Sequence, residues 1–315
     1  MSDGLTVAVT GPTGEIGRAF LRALDERDEV ARIIGMARRP FDPAELGLDK
    51  TEYRQGDVLN RDSVDALTAG ADVLVHLAFI IVGGREEARA INLTGSRNVF
   101  AAARGVQRLV YTSSVAAYGF HADNPQPLTE DVEPRGSERF YYSAQKAELE
   151  RALAEEIGDT EAYVLRPCIV AGPDAPALLN ALPQNRLPGP LRRFALPVLP
   201  DPGTPFQLVH HDDVATALVA ATLGAGPPGI YNLAGEGTIT VSDIAHALGW
   251  LSIPVPRPLL GPASLGARLP LMPSIAEWIH AGRVPVLMDT SRARSELGWR
   301  PRYSTRATLD ALVAA

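Results

Sequence analysis

The sequence predicts an α/β fold, a doubly wound parallel sheet followed by a smaller C-terminal lobe. The first half of the 315-residue chain alternates short β-branched runs with helical patterns, which is typical of βαβ units. A glycine-rich turn separates the first strand from the first helix. Beyond Pro167 prolines become frequent and the periodicity fades. We therefore expect one domain at residues 1–167, to which 206–233 return, and a lobe that takes up most of 168–315.

The strands and helices of the first domain follow one another in a regular order. The fourth strand, "ADVLVHLA", is apolar enough to be buried on both faces, as in a parallel sheet. The first helix has apolar residues on one face, which predicts that it packs on the sheet. The predicted strands are 5–10, 31–37, 51–57, 71–78, 106–114 and 160–167, and the predicted helices are 15–27, 61–70, 86–105 and 141–158.

The second half of the chain is less regular. Residues 173–205 are rich in proline and predict a loop-rich lid. A strand and a helix are expected over 206–224, a strand over 229–235, and a helix over 240–250 that Thr240 or Ser242 caps. The tail 288–303 predicts a strand or turn, a short helix and then an irregular end.

Composition excludes several classes of protein. A net charge of −7 argues against a nucleic-acid partner, which normally requires a concentrated basic surface. One cysteine, Cys168, rules out a disulfide framework and a cysteine-based metal site. Neither a signal peptide nor an apolar run of roughly 18 residues is found, so no membrane association is expected. These features predict a cytoplasmic protein that acts on a small molecule.

The turn "TGPTGEIG", residues 10–17, has its glycines at intervals of three. Gly11 allows the tight turn, Gly14 lets a pyrophosphate approach the backbone, and Gly17 lets the helix pack on the strand. The helix N-terminus then offers unpaired N–H groups and a positive dipole to the phosphates. Alone, the loop also fits a structural turn. If the loop binds a nucleotide, residues 1–167 form an NAD(P)-binding Rossmann domain. Thr13, Glu15 and Ile16 of the same loop are then also expected to contact the cofactor.

Motifs along nearly the whole chain resemble the extended short-chain dehydrogenase/reductase family, whose members are NAD(P)-dependent and epimerase/dehydratase-like. The motifs are "TGPTGEIG", "GDVLN" (56–60), "HLA" (76–78), Asn92, "YTSSVAAYG" (111–119), the Tyr142–Lys146 pair, "LRPCIVAGP" (165–173), "VHHDDVATAL" and "SELGWRP". The resemblance implies a Rossmann-type doubly wound parallel sheet with a smaller C-terminal substrate lobe. It also implies a homodimer, formed through helices near 86–104 and 142–157. The cofactor contacts it implies are Asp57, Val58, Leu77, Ala78, Lys146, Pro167 and Ile169.

The end of the second strand indicates which cofactor binds. An NAD enzyme carries an acidic residue there to bind the ribose 2′-hydroxyl, whereas this chain has Ala37 followed by Arg38 and Arg39. Guanidinium groups bind phosphate in a bidentate manner, so NADP(H) is the expected cofactor. NAD is the alternative, in which both arginines are simply solvated.

Tyr142 and Lys146 lie four residues apart and share one helix face. A phenol with an ordinary pKa near 10 is a poor proton shuttle, and a nearby ammonium is expected to lower that pKa. Tyr142 is then the acid/base for a carbonyl or alcohol oxygen. Ser114, rather than Ser113, matches the family's serine and is expected to hold the substrate oxygen.

Ser114, Tyr142 and Lys146 fit several reactions, so other positions in the motifs must indicate which reaction is catalysed. No carboxyl group follows the serines in "SSVAA", which disfavours a dehydratase. Ile169 and Phe206 occupy the positions where nucleotide-sugar enzymes carry an Asn and an Arg that bind the diphosphate. We expect an NADP(H)-dependent oxidoreductase. The alternatives are a nucleotide-sugar 4-epimerase with tightly bound NAD, which "SELGWRP" favours, and a non-catalytic dinucleotide-binding regulator.

Other reactive side chains have ordinary structural interpretations. His210, His211, Asp212 and Asp213 lie at a strand-to-helix turn, where Asp is a good N-cap, so no metal site is predicted. Cys168 and His76 are both expected to be packed in the interior.

Overall fold

A seven-stranded parallel sheet forms the centre of the molecule. The computed structural model describes residues 4–81, 85–138, 140–182, 196–256 and 283–315. The strand order is β10-β6-β5-β4-β1-β2-β3, and all neighbouring strands are parallel. The strands are β1 Leu5–Thr10, β2 Val30–Ala37, β3 Thr51–Gln55, β4 Val73–His76, β5 Arg108–Thr112, β6 Glu161–Pro167 and β10 Gly229–Leu233. This sheet confirms the predicted Rossmann-type fold.

Helices cover both faces of the sheet. Val7 and Val9 of β1 belong to one apolar cluster and Ala8 to another, as expected when successive side chains point to opposite faces. Helices α1 and α7 pack on the first face, and α2, α4 and α5 on the second. The described helices are α1 Glu15–Asp25, α2 Arg61–Thr68, α3 Arg85–Arg89, α4 Ser96–Ala103, α5 Tyr141–Glu156, α6 Ala177–Asn180, α7 His211–Thr222, α8 Val241–Ala247, α9 Ser291–Ser295 and α10 Thr305–Val313.

The helix predicted over 86–105 is interrupted. A π-helical turn, Ala90–Gly95, separates α3 from α4. The buried Asn92 side chain lies in this turn and bonds to the Ile80 backbone and to Gln145. Such insertions are frequent at functional sites, and the hydrophobic periodicity alone does not reveal them.

The smaller lobe contains two short sheets and an apolar cluster of its own. β7 (Ile169–Ala171) pairs with β9 (Leu208–His210), and β8 (Val198–Asp201) pairs with β11 (Leu251–Pro254). The predicted lid 173–205 contains α6 and β8, while its residues 183–195 lie outside the described part. The predicted tail 288–303 contains the short helix α9, whereas helix α10 lies beyond that tail and was not predicted; Ser304 caps it by accepting the Ala307 N–H.

Two further observations concern possible partners. Val99 and Leu149, on the helices that the resemblance assigns to a dimer interface, are fully buried against the sheet. These two side chains are therefore not available to a second subunit, and the homodimer stays a prediction. Within the described ranges, no helix combines the length and apolar character needed to cross a membrane.

Candidate active site

The glycine loop connects β1 to α1 and fits tightly between neighbouring backbones. Gly11 has a φ of 75°, and a Cβ there would lie 2.7 Å from the Ala78 nitrogen. A Cβ on Gly17 would lie 2.5 Å from the Gly11 oxygen. A Cβ on Gly14, the N-cap of α1, would meet no atom closer than 3.6 Å. Gly11 and Gly17 are thus required by the fold, while Gly14 leaves open space where the helix dipole favours an anion.

These contacts predict different outcomes for two alanine substitutions. Gly14→Ala is expected to leave the thermal midpoint unchanged and to weaken dinucleotide binding about tenfold, since only the phosphate position is filled. Gly17→Ala is expected to cost about 1–3 kcal/mol of stability, because the backbone must shift. Thermal unfolding and a fluorescence titration with NADPH and NADH measure both effects. A Gly14→Ala protein that binds both dinucleotides like wild type would contradict the assignment of the loop.

A cleft of about 310 Å³ opens beyond the carboxyl ends of β1, β2 and β4. This is the edge where doubly wound sheets bind ligands, next to the reversal of strand order between β1 and β4. The predicted residues that line it are Gly11, Thr13, Gly14, Arg38, Arg39, Asp57, Val58, Leu77 and Ala78. The predicted residues outside this lining are Glu15, Ile16, Gly17, Lys146, Pro167 and Ile169. The sequence did not single out four apolar lining residues, Met36, Phe79, Ile80 and Ile91.

The end of β2 presents two arginines to the cleft. Tyr53 donates its hydroxyl to the Ala37 and Arg39 carbonyls, and Gln55 Nε2 donates to the Arg38 carbonyl at 2.8 Å. The neighbouring strand β3 therefore fixes this backbone, while the guanidinium groups remain at the solvent-exposed rim. Arg38 Nη1 lies 2.9 Å from Glu87 Oε1 of α3.

Tyr142, Ser114 and Lys146 come together at the start of α5. Ser114 follows β5, is buried, and hydrogen-bonds to the Tyr142 phenol. The buried Lys146 Nζ donates to the Thr112 carbonyl at 2.8 Å. Phe79, which lines the cleft, lies with its ring 3.9 Å from that Nζ and 5.4 Å from the Tyr142 ring. The three predicted catalytic side chains thus adjoin the predicted cofactor cleft.

The pKa values of Tyr142 and Lys146 differ from those expected from the sequence. Burial raises the pKa of Tyr142 to about 12, against the opposing effect of the Ser114 hydrogen bond. Burial lowers the pKa of Lys146 to about 7, against the negative charge of Glu150. The expectation that Lys146 lowers the Tyr142 pKa is wrong for this arrangement, because desolvation dominates and Nζ binds the Thr112 carbonyl. At neutral pH the phenol stays protonated.

A buried ion pair lies directly behind these residues. Arg166 is fully buried, and its Nε lies 3.0 Å from Glu150 Oε1. Ser113 donates its hydroxyl to the same Glu150 oxygen. Burial opposes the charge on Arg166, but the bonds and charge of Glu150 outweigh it and raise the pKa of the guanidinium. The sequence did not identify this pair, although Glu150 lies one turn beyond Lys146.

His76 and Cys168 are interior groups, as expected. His76 contacts the Thr10 hydroxyl at 2.7 Å and the Ser96 hydroxyl at 2.8 Å. Burial, with the charge of Lys146, lowers the pKa of His76 to about 3, so the ring is neutral at physiological pH. Burial also raises the pKa of the Cys168 thiol, which removes the thiolate needed for nucleophilic chemistry.

Side chains within residues 210–213, at the start of α7, cap the helix and bind neighbouring backbone groups, including those of the C-terminal tail. His210, not an aspartate, caps the helix, and its Nδ1 accepts the Asp212 N–H. His211 Nε2 accepts the Asp174 N–H. The fully buried Asp213 accepts the backbone N–H groups of residues 302 and 303, which anchors the C-terminal tail. In the described part of the chain, His210, His211 and Asp212 are close enough to share a metal ion, and one ring nitrogen of each histidine accepts a backbone N–H.

The smaller lobe carries apolar side chains at positions 169 and 206, where an Asn and an Arg would be expected in a nucleotide-sugar enzyme. Ile169 pairs with Leu208 between β7 and β9. Phe206 exchanges two backbone hydrogen bonds with Ile239. Both side chains pack against the apolar cluster of the smaller lobe. Neither position can supply a donor to a diphosphate.

Comparison with known proteins places the chain in a family. The model of the NAD dependent epimerase/dehydratase family matches residues 7–234. Sterol demethylase protein B of Methylococcus capsulatus is 27% identical over 338 residues, covering 98% of this chain and 97% of that protein. The enzyme WbmH of Bordetella bronchiseptica, solved with NAD+, has a TM-score of 0.75 at 21% identity, covering 99% of this chain and 98% of the other.

A second solved structure has the same fold. UDP-glucuronic acid 4-epimerase from Bacillus cereus, solved with NAD, has a TM-score of 0.74 at 19% identity and covers 98% of both chains. At these identities the two solved structures establish the fold alone. The family match covers most of the chain and includes both the glycine loop and the Tyr142–Lys146 pair, so this protein belongs to the NAD dependent epimerase/dehydratase family.

Proposed function

We propose that the protein is an NADP(H)-dependent oxidoreductase that interconverts a carbonyl and an alcohol on an apolar small molecule. The observation that carries the proposal is the adenosine end of the cleft, where Arg38 and Arg39 follow Ala37. The acidic side chain that would bind a 2′-hydroxyl and repel a 2′-phosphate is not at position 37. The open space at Gly14 fits the pyrophosphate of such a dinucleotide.

The catalytic residues suit proton donation. When bound, the nicotinamide supplies the hydride that the carbonyl carbon accepts. Tyr142 Oη, protonated at neutral pH, donates its proton to the carbonyl oxygen, and the Ser114 hydroxyl holds that oxygen. The resemblance implies that Lys146 holds the nicotinamide ribose, and we include this role in the proposal. The raised pKa of Tyr142 keeps the phenol protonated at neutral pH, which is the form that reduction requires.

An apolar substrate follows from the residues in the smaller lobe. Ile169 and Phe206 replace the donors expected in nucleotide-sugar enzymes and join an apolar cluster. The relative named sterol demethylase protein B, matched over nearly the whole of both chains, supports an apolar ring alcohol or ketone as the substrate class. We further propose a homodimer, as the resemblance implies, and a cytoplasmic location, as the composition predicts.

The second candidate is a nucleotide-sugar 4-epimerase that retains NAD. The solved UDP-glucuronic acid 4-epimerase with NAD supports it through the shared fold. The "SELGWRP" tail also favours it, and here Trp299 Nε1 donates to the Asp213 carbonyl at 2.9 Å, which docks the tail on α7. That contact is structural and does not itself bind a sugar.

Removing the two guanidinium groups tests the cofactor assignment. Arg38→Ala/Arg39→Ala is expected to weaken NADPH binding about 10- to 100-fold and to leave NADH binding within about threefold, because only the 2′-phosphate loses partners. Fluorescence titration of both dinucleotides measures this, and Arg32→Ala, which removes one guanidinium from strand β2 away from the cleft, is the control. Unchanged NADPH affinity in the double variant would remove the basis for NADP(H).

A further inference from the structure

One ion pair connects the two walls of the cleft at its adenosine end. Arg38 belongs to the wall that follows β2. The opposite wall includes Ile80 and Ile91, which lie on the connection between β4 and α4. Glu87 lies on that same connection, in α3, and its Oε1 is 2.9 Å from Arg38 Nη1. The pair therefore lies at the mouth of the cleft, with side chains that are 47% and 63% exposed.

This contact affects how the cleft can accept an anion. A guanidinium that already binds a carboxylate has fewer donors for a 2′-phosphate, and the carboxylate repels that phosphate. The Arg38 carbonyl is held by Gln55, so the backbone cannot simply move away from Glu87. A 2′-phosphate therefore competes with the carboxylate for Arg38, whereas a 2′-hydroxyl brings no charge to the pair.

We infer that Glu87 is a cofactor-specificity residue that competes with the 2′-phosphate for Arg38 and so narrows the preference for NADP(H) over NAD(H). This inference rests on the proposed role of Arg38 in binding the 2′-phosphate. It extends cofactor specificity from the end of β2, the region that the sequence indicated, to a residue of α3. Because the pair is exposed, its effect is moderate and depends on salt.

The test is a binding experiment with no turnover. Wild type and Glu87→Gln are titrated with NADPH and NADH, and with the fragments 2′,5′-ADP and 5′-AMP. Glu87→Gln is expected to tighten NADPH and 2′,5′-ADP about two- to fivefold at low salt, and to change NADH and 5′-AMP less than twofold. In 0.5 M NaCl the gain is expected to shrink. Glu86→Gln, which removes the neighbouring exposed acid of the same helix, is the matched control and is expected to change no affinity more than twofold.

The outcomes separate this inference from the proposed function. No gain in Glu87→Gln, an equal gain for NADH, or an equal gain in Glu86→Gln would overturn the role of Glu87. In an Arg38→Ala background, Glu87→Gln is expected not to tighten NADPH binding, because the carboxylate acts through the Arg38 guanidinium. If Arg38→Ala/Arg39→Ala loses NADPH affinity while Glu87→Gln has no effect, only the inference fails. If the arginine variant binds NADPH normally, the proposed cofactor fails.

Discussion

Replacing Tyr142 by Phe is expected to lower kcat by about two to four orders of magnitude, the usual contribution of a general acid. The substitution removes only the hydroxyl that Ser114 binds. The ring keeps its contacts with Phe79 and Phe140, so the fold and the cleft are expected to be unchanged. Steady-state kinetics on a carbonyl substrate, with NADPH titration and circular dichroism on the same sample, measure the effect.

Tyr141 provides the matched control. It is the preceding residue of α5, and its hydroxyl donates to the Ile81 carbonyl rather than to Ser114. Tyr141→Phe is expected to retain kcat within about threefold, since no reacting atom loses a partner. A Tyr142→Phe enzyme as active as wild type would contradict the acid/base assignment. An unchanged cellular phenotype in that variant would favour the regulator alternative.

Replacing Glu150 by Gln is expected to destabilise the protein by about 3–5 kcal/mol, the usual cost of removing one partner of a buried ion pair. Arg166 is fully buried and would keep its charge, while the amide would offer one neutral oxygen in place of a carboxylate that accepts from both Ser113 and Arg166. The Arg166 guanidinium also lies 4.4 Å from the centre of the Tyr118 ring, so it cannot turn to solvent without disturbing the core. Urea unfolding at pH 7.5 measures the change.

Two controls distinguish a buried charge from general damage. Asp65→Asn breaks an exposed ion pair with Arg61 on α2 and is expected to have no measurable effect. Glu150→Met/Arg166→Met removes both buried charges and is expected to recover much of the loss seen in Glu150→Gln. A Glu150→Gln protein as stable as wild type would show that the pair contributes nothing to the fold.

The elements of the fold were predictable where the sequence has continuous apolar runs. Apolar runs such as Val73–His76 gave the strands of the sheet, because both faces of those strands are buried. The π-turn at Ala90–Gly95 was not predictable, since it depends on what Asn92 bonds to in three dimensions. Helix α10 carried a readable signal, a serine N-cap before a short apolar repeat, but it lies beyond the tail 288–303 for which elements were predicted.

The candidate site was predictable as a set of residue types, and less so as an electrostatic environment. The spacing of Tyr142 and Lys146 predicted that these two residues lie together, and the structure places both beside Phe79 of the cleft. The direction of the Tyr142 pKa shift was wrong, because the sequence reveals a nearby lysine but not the burial of both groups. Glu87 and Arg166 were missed for a similar reason, as their partners lie on other elements.

The most direct test of the proposed function is the cofactor that the purified protein carries. The protein is denatured, and the released nucleotides are identified and quantified against protein concentration. We predict little or no released nucleotide, followed by saturable binding of NADPH to the intact protein more tightly than NADH. One equivalent of released NAD(H) per chain would contradict the oxidoreductase and favour an epimerase that retains its cofactor.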